Sequence, residues 1–186
     1  MACDVTDDSA ETQQIIEQLV VAADIVMSLL PWTLHMQLAK LAIKHKTDFA
    51  TASYVSAEMK ALDGAFRDAG IISLNECGVD PGLDHMSAMK VMNDVRKRGG
   101  SIKSFISLCG GLPAPADNSN PMGYKLSWSP RGVLLATGNN ARFLEGGKTV
   151  DKKQPVIHPR SPDTIEGVGA LEWYENRDST EYVDIY

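Results

Sequence analysis

The most constraining feature of this chain is a regular alternation over its first 75 residues. Short apolar runs of strand length alternate with longer stretches whose apolar residues recur at helical spacing. Ile25-Val26-Met27-Ser28-Leu29-Leu30 is a nearly continuous apolar run that Pro31 stops. Such a run predicts a strand buried on both faces, as in the centre of a parallel sheet. Asp48–Ser53 (DFATAS) and Ile71–Leu74 read as two further strands. Between them lie helical patterns: Ile15, Ile16, Leu19 and Val20 after an Asp8/Glu11 capping box, then Leu34, Leu38, Leu41 and Ala42. A third pattern, Met59, Leu62, Phe66 and Ala69, is capped by Ser56 and closed by Gly70. Strands separated by helices of this length need crossover connections, so the pattern predicts an α/β fold with a parallel sheet.

After Glu76 the texture changes. Cys77-Gly-Val-Asp-Pro-Gly-Leu-Asp-His85 leads into a helix with Met86, Met89, Met92 and Val95 on a core stripe, ended by Gly99-Gly100. Ser101–Cys109 alternates like a strand, and residues 110–124 form a loop rich in Gly, Pro and Asn. Ser129-Pro130 opens another helix, and Glu145-Gly146-Gly147-Lys148 is a hairpin turn. The last 35 residues show little periodicity and no closing element.

Composition excludes several function classes. The net charge of −6 argues against a general binder of phosphate backbones. No apolar run approaches the ~20 residues of a membrane span, and no signal peptide is visible. Three scattered cysteines (Cys3, Cys77, Cys109) favour a reducing compartment. The histidines are dispersed, and Asp80, Asp84 and His85 lack the spacing of a zinc or calcium site, so no metal is expected.

In an open α/β sheet, ligands bind beyond the C-terminal strand ends. Here those ends are Leu29-Leu30-Pro31, Ala52-Ser53-Tyr54 and Asn75-Glu76-Cys77-Gly78. The sequence contains no GxGxxG and no GxxxxGK[ST] phosphate loop. Asp4 is the residue type that hydrogen-bonds a ribose. Taken singly, Ser53-Tyr54 also reads as a polar strand end, Asp80–Asp84 as a solvated turn and cap, Cys109 as a small buried hydrophobe and Arg177 as a surface ion pair.

Four segments in order carry more information: TASYVSAEMKAL, ECGVDPGLDHMSAM, CGGLPAPADNSNPMGYKLSWSPRGVLLA and YENRDST. Together they resemble the saccharopine dehydrogenase (L-glutamate-forming) family, whose module also forms part of the bifunctional α-aminoadipic semialdehyde synthase. The resemblance runs from Asp4 to Tyr186 and is weakest between Lys148 and Leu171, where KKQPVIHPRSPDTIEG replaces a stretch that usually carries further strands. It implies a partial Rossmann-type parallel sheet over residues 1–78, followed by a partial α+β substrate domain with a mixed sheet over 79–186. The implied activity is an oxidoreductase of lysine metabolism that interconverts saccharopine with glutamate and α-aminoadipate semialdehyde, using NADP or NAD.

The same resemblance places the cofactor near Asp4, Val5, Leu30, Ala52, Val79, Asp80 and Pro81, and the substrate near Ser53, Tyr54 and Arg177. A guanidinium at Arg177 suits a carboxylate, which it can hold bidentately. Asp80 and Cys109 are the implied catalytic residues, with Asp80 the better candidate for proton handling. The family's glycine loop, and an Arg-Gly-Thr-Leu-Arg-Tyr stretch after the NRDS motif, have no counterpart here. The sequence is therefore expected to be an internal fragment. Two other readings stand beside the enzyme: a non-catalytic fragment that associates with full-length subunits, and a related reductase of an amino-acid-derived imine. The implied location is cytoplasmic for a stand-alone enzyme and mitochondrial for the bifunctional one, with a homodimer as the intact form and neither nucleic acid nor membrane as partner.

Overall fold

The computed structural model describes residues 3–126, 129–153 and 160–186, the last segment from Asp163 for side chains. By contacts the chain divides into two compact units, Met1–Ser107 and Leu108–Tyr186.

The first unit carries the parallel sheet that the alternation predicts. Strands β1 (Ile25–Ser28), β2 (Asp48–Thr51) and β3 (Ser73–Leu74) lie in the order β1-β2-β3, and both pairings are parallel. Helix α1 (Ala10–Val21) precedes β1, α2 (His35–His45) joins β1 to β2, and α3 (Ala57–Ala61) and α4 (Asp63–Ala69) join β2 to β3. The register sets Val26 beside Phe49 and Ser28 beside Thr51. Paired residues share a face of the sheet, and α2 packs against both strands. The core is Ile16, Leu38, Ala39, Ala42, Phe49, Met59 and Phe66, flanked by Val5, Val26, Leu30, Leu62 and Ile71.

Several local expectations change. The cap of α1 is Ser9, whose hydroxyl accepts from the Thr12 N–H; the capping box at Asp8 is displaced by one residue. β1 ends at Ser28 and forms an edge of the described sheet, with Ile25 and Met27 about half exposed. An apolar run alone does not say whether both faces are covered. The helix read from Ser56 to Gly70 is two, meeting at Leu62; Ser56 does cap the first, and Gly70 ends the second at φ +73°.

Helix α5 (Leu83–Lys97) buries Ala88 and Met92, whereas Met86 is exposed, so the methionine stripe is only partly core. Residues 101–109 form no strand. Their alternation meets no partner ladder among the described residues, and Phe105, Ile106 and Leu108 remain exposed.

In the second unit α6 (Pro130–Ala136) begins as expected, with the Ser129 hydroxyl accepting from the Gly132 N–H. Strands β4 (Ala141–Glu145) and β5 (Lys148–Lys152) form the predicted hairpin, and Gly146 and Gly147 both take positive φ at its turn. A second hairpin, β6 (Arg160–Ile165) with β7 (Gly169–Trp173), occupies the region that lacked periodicity, and a short helix, α7 (Tyr182–Ile185), follows. The weakly matching stretch thus contributes strands, although its residues 154–159, His158 among them, lie outside the described residues. No described helix is long and apolar enough to cross a membrane.

Candidate functional site

Because the three strands are parallel, their C-terminal ends share one edge, and the loops leaving them are stitched together there. The Cys77 N–H donates to Thr51 O at 3.2 Å, the Glu76 N–H to Ser53 O at 3.1 Å, and the Glu76 carboxylate takes the Val55 N–H at 3.2 Å. These bonds fix the residues after β2 against those after β3.

The next turn, Gly78–Gly82, is closed by Gly78 N–H donating to Pro81 O at 2.8 Å and by Leu83 N–H donating to Gly78 O at 3.0 Å. Its shape requires glycine: Gly82 has φ +147°, and a Cβ there would stand 2.2 Å from Gly78 O. Gly78 backs onto Ala52, where an added Cβ would meet Ala52 Cβ at 3.2 Å. Val79 and Asp80 are exposed at the tip of the turn, and a cis peptide links Asp80 to the buried Pro81.

This arrangement brings three sequence-selected residues together. The Tyr54 hydroxyl donates to Asp80 Oδ1 at 2.6 Å, and Ser53 adjoins it at the end of β2. Ala52, Val79 and Pro81 frame the same turn. Leu30 and Val5 instead pack against the hydrophobic core. Asp4 Oδ1 accepts both the N–H and the hydroxyl of Thr6, which hold the carboxylate below its ordinary pKa.

Sequence reasoning missed one residue. His35, buried on α2, has Nδ1 2.8 Å from Ser28 Oγ and Nε2 2.7 Å from Ser53 Oγ, with Thr51 Oγ1 3.2 Å from the same nitrogen. The signal was its phase: position 35 shares a helix face with Leu38, Ala39 and Ala42, all buried. A histidine on a buried face must find polar partners.

Burial also disfavours its charged form and lowers its pKa. The unfolded chain therefore binds more protons than the folded one as pH falls through and below about 6.5, so stability must fall there. The depressed carboxylates of Asp7, Glu17, Asp63 and Asp178 act separately, near and below the usual carboxylate range. We expect the thermal midpoint to drop between about pH 7 and pH 5, and His35→Gln to flatten that interval. A slope that survives His35→Gln would assign it to another group.

In the second unit, Arg177 is held by main-chain pairing with β4. The Arg142 N–H donates to Arg177 O at 2.8 Å, and the Ser179 N–H returns to Arg142 O at 2.8 Å. Arg177 has φ +52°, a conformation that costs a non-glycine residue free energy and recurs at functional sites. It lines an open cleft of about 330 Å³ with Asn139, Asn140 and Asp178, a polar set suited to the carboxylate end of an amino acid. Cys109 is exposed in this unit. No cluster of three or more metal-ligating side chains occurs among the described residues.

For a nicotinamide cofactor the structure offers one specific fit. Asn75 Oδ1, just after β3, is buried and accepts no hydrogen bond from the described residues, which leaves an acceptor for a donor such as a carboxamide. Val79 and Asp80 would stand beside the ring.

Comparisons with known proteins identify the family of the chain. The model of the saccharopine dehydrogenase NADP binding domain matches residues 1–74, and that of the saccharopine dehydrogenase C-terminal domain matches residues 78–186. Saccharopine dehydrogenase (NADP(+), L-glutamate-forming) of Schizosaccharomyces pombe is 47% identical over 187 residues, covering 100% of this chain and 40% of that protein. The mitochondrial alpha-aminoadipic semialdehyde synthase of Rattus norvegicus is 45% identical over 174 residues, covering 92% of this chain and 19% of that one. Among solved structures, apo histidine-tagged saccharopine dehydrogenase (L-Glu forming) from Saccharomyces cerevisiae superposes with a TM-score of 0.84 at 44% identity. That match covers 100% of this chain and 41% of the solved one, so the chain spans about two fifths of the length of its fungal relatives.

Proposed function

This chain belongs to the saccharopine dehydrogenase family, and from that premise we propose that it serves an NADP-linked oxidoreductase converting saccharopine and water into glutamate and α-aminoadipate semialdehyde, and the reverse. The observation that carries the reading is the meeting of Ser53, Tyr54 and Asp80 at the C-terminal edge of a parallel sheet whose sequence matches an NADP-binding domain. We assign nucleotide binding to residues 1–78 and substrate binding to residues 79–186, with Ser53 and Tyr54 added to the substrate set. The protein acts in the cytoplasm, as a homodimer in its intact form.

When bound, NADP would supply the acceptor for a hydride from the substrate carbon beside the secondary amine, and water would hydrolyse the resulting imine. The chain's residues do the rest. Arg177 holds a carboxylate by its guanidinium, and the Ser53 hydroxyl orients another. Asp80 takes and returns the protons that amine oxidation and imine hydrolysis require, with the Tyr54 hydroxyl fixing its carboxylate. Cys109 joins the catalytic set on the family resemblance. Asn75, Val79 and Pro81 would hold the nicotinamide, while Asp4, Val5, Leu30 and Ala52 would serve the rest of the nucleotide.

One feature favours a second reading, a chain that binds without turnover. It contains no glycine-rich phosphate loop, the turn that sets a pyrophosphate on a helix N-terminus. Titration of the purified chain with saccharopine by calorimetry, followed by assay of NADPH formation, tests both. Saccharopine is expected to bind, and Arg177→Ala to weaken it about tenfold or more, the value of a hydrogen bond to a charged group. Unchanged affinity in that variant removes Arg177 from the clamp. Binding without NADPH formation selects the second reading, and a wild-type chain that binds no saccharopine overturns both.

A further inference from the structure

The network around His35 decides which way the Ser53 hydroxyl points, and so what kind of atom it can recognise. A neutral imidazole has one N–H and one lone pair. Burial favours the neutral form of this ring.

Ser28 is 1% exposed, and its hydroxyl has His35 Nδ1 as its one hydrogen-bond partner among the described residues. If Nδ1 carries the proton, it donates to Ser28, and the buried Ser28 O–H has no acceptor. Nε2 must then accept from Ser53, its partner at 2.7 Å, so the buried Thr51 O–H, at 3.2 Å, is left without one as well. If Nε2 carries the proton, Ser28 donates to Nδ1, Nε2–H donates to Ser53 Oγ, and only Thr51 lacks an acceptor. The second arrangement leaves one buried hydroxyl unsatisfied rather than two.

We propose that His35, as the Nε2–H tautomer, is a positioning residue that makes Ser53 an outward hydrogen-bond donor for a carboxylate oxygen of the substrate. The rest of Ser53 is already committed: its N–H goes to Thr51 Oγ1 at 3.3 Å, and its C=O takes the Glu76 N–H at 3.1 Å. With Oγ accepting from His35, its own proton is free to turn toward a ligand, whereas the other tautomer would consume that proton in the bond to Nε2. A donor there suits a carboxylate oxygen. This inference rests on the proposed role of Ser53 in substrate binding.

The test uses the full chain labelled with ¹⁵N at histidine. Two-bond ¹H–¹⁵N correlation spectra report which ring nitrogen bears the proton, and His35→Gln identifies the His35 signals. A protonated Nε2 and a bare Nδ1 are expected; a protonated Nδ1 overturns the proposal whether or not any ligand binds. Saccharopine titrations of wild type, His35→Asn and His35→Gln form the second arm. A glutamine amide reaches as far as Nε2 and can donate in its place, whereas an asparagine amide stops at the depth of Nδ1. The asparagine variant is expected to bind about tenfold more weakly or worse, with the glutamine variant within about threefold of wild type. Equal weakening in both, or none in either, overturns the proposal. Should wild type bind no saccharopine, the functional reading fails on its own, and Ser53→Ala decides His35. A shifted Nε2 resonance in that variant supports the donated bond, and an unmoved one overturns it.

Discussion

Asp80→Asn is expected to lower NADPH formation from saccharopine by about 10²–10⁴-fold, the range that a positioned acid–base group supplies. The substitution keeps the size of the side chain, and the amide oxygen can still accept from Tyr54. What it removes is the ability to take a proton from the amine or from attacking water. Asp80 is exposed at the tip of a turn whose backbone is closed by the Gly78 N–H to Pro81 O and Leu83 N–H to Gly78 O hydrogen bonds, neither of which involves its side chain. The backbone should therefore persist in the variant, and saccharopine affinity should change little while turnover collapses. Tyr54→Phe removes the donor at 2.6 Å and is expected to lower turnover by a smaller factor. If Asp80 acts through that bond, the double variant should be no slower than Asp80→Asn alone. Turnover by Asp80→Asn within threefold of wild type would remove Asp80 from proton transfer.

Phe49→Ala is expected to have the largest effect on stability. Phe49 is fully buried in the central strand, and its ring lies 6.2 Å from that of Phe66, centroid to centroid. Ala39 and Ala42 belong to the same core cluster, and their short side chains cannot reach in to fill a gap. Truncating a buried phenylalanine costs about 3–5 kcal/mol, a large share of the ~5–15 kcal/mol that holds a domain together. Urea unfolding followed by far-ultraviolet circular dichroism should show the midpoint collapse or the transition disappear. Because Phe49 leads directly to Thr51 and Ser53, the same variant should also lose saccharopine binding. A loss below 1 kcal/mol would mean that the strand is not the centre of the core.

Helix α2 shows how much of this was legible in the sequence. Its spacing placed it between two strands, and its buried face follows from Leu38, Ala39 and Ala42. That face also contained His35, yet periodicity gives only the direction in which the ring points, and not the Ser28 and Ser53 hydroxyls it meets. Ser53, Tyr54, Asp80 and Arg177 stand out only through the ordered motifs, since each taken singly has an ordinary explanation. The strand read at 101–109 failed for the complementary reason: alternation describes one strand, while a ladder needs two.

What depends on near neighbours is legible along the chain: the α/β alternation, the caps at Ser56 and Ser129, the Gly146-Gly147 turn and the family motifs. These rest on steric and hydrogen-bonding preferences that act within a few residues. Tertiary structure alone decided that β1 has an exposed face, that Tyr54 meets Asp80 across 26 positions, and that His35 meets Ser53 across 18. It also decided that Arg177 is pinned to Arg142 in a left-handed conformation. The Tyr54 and His35 contacts form only once strand register is set, and register in the first unit follows from burying Phe49 and its partners together, a property of the whole core rather than of any segment.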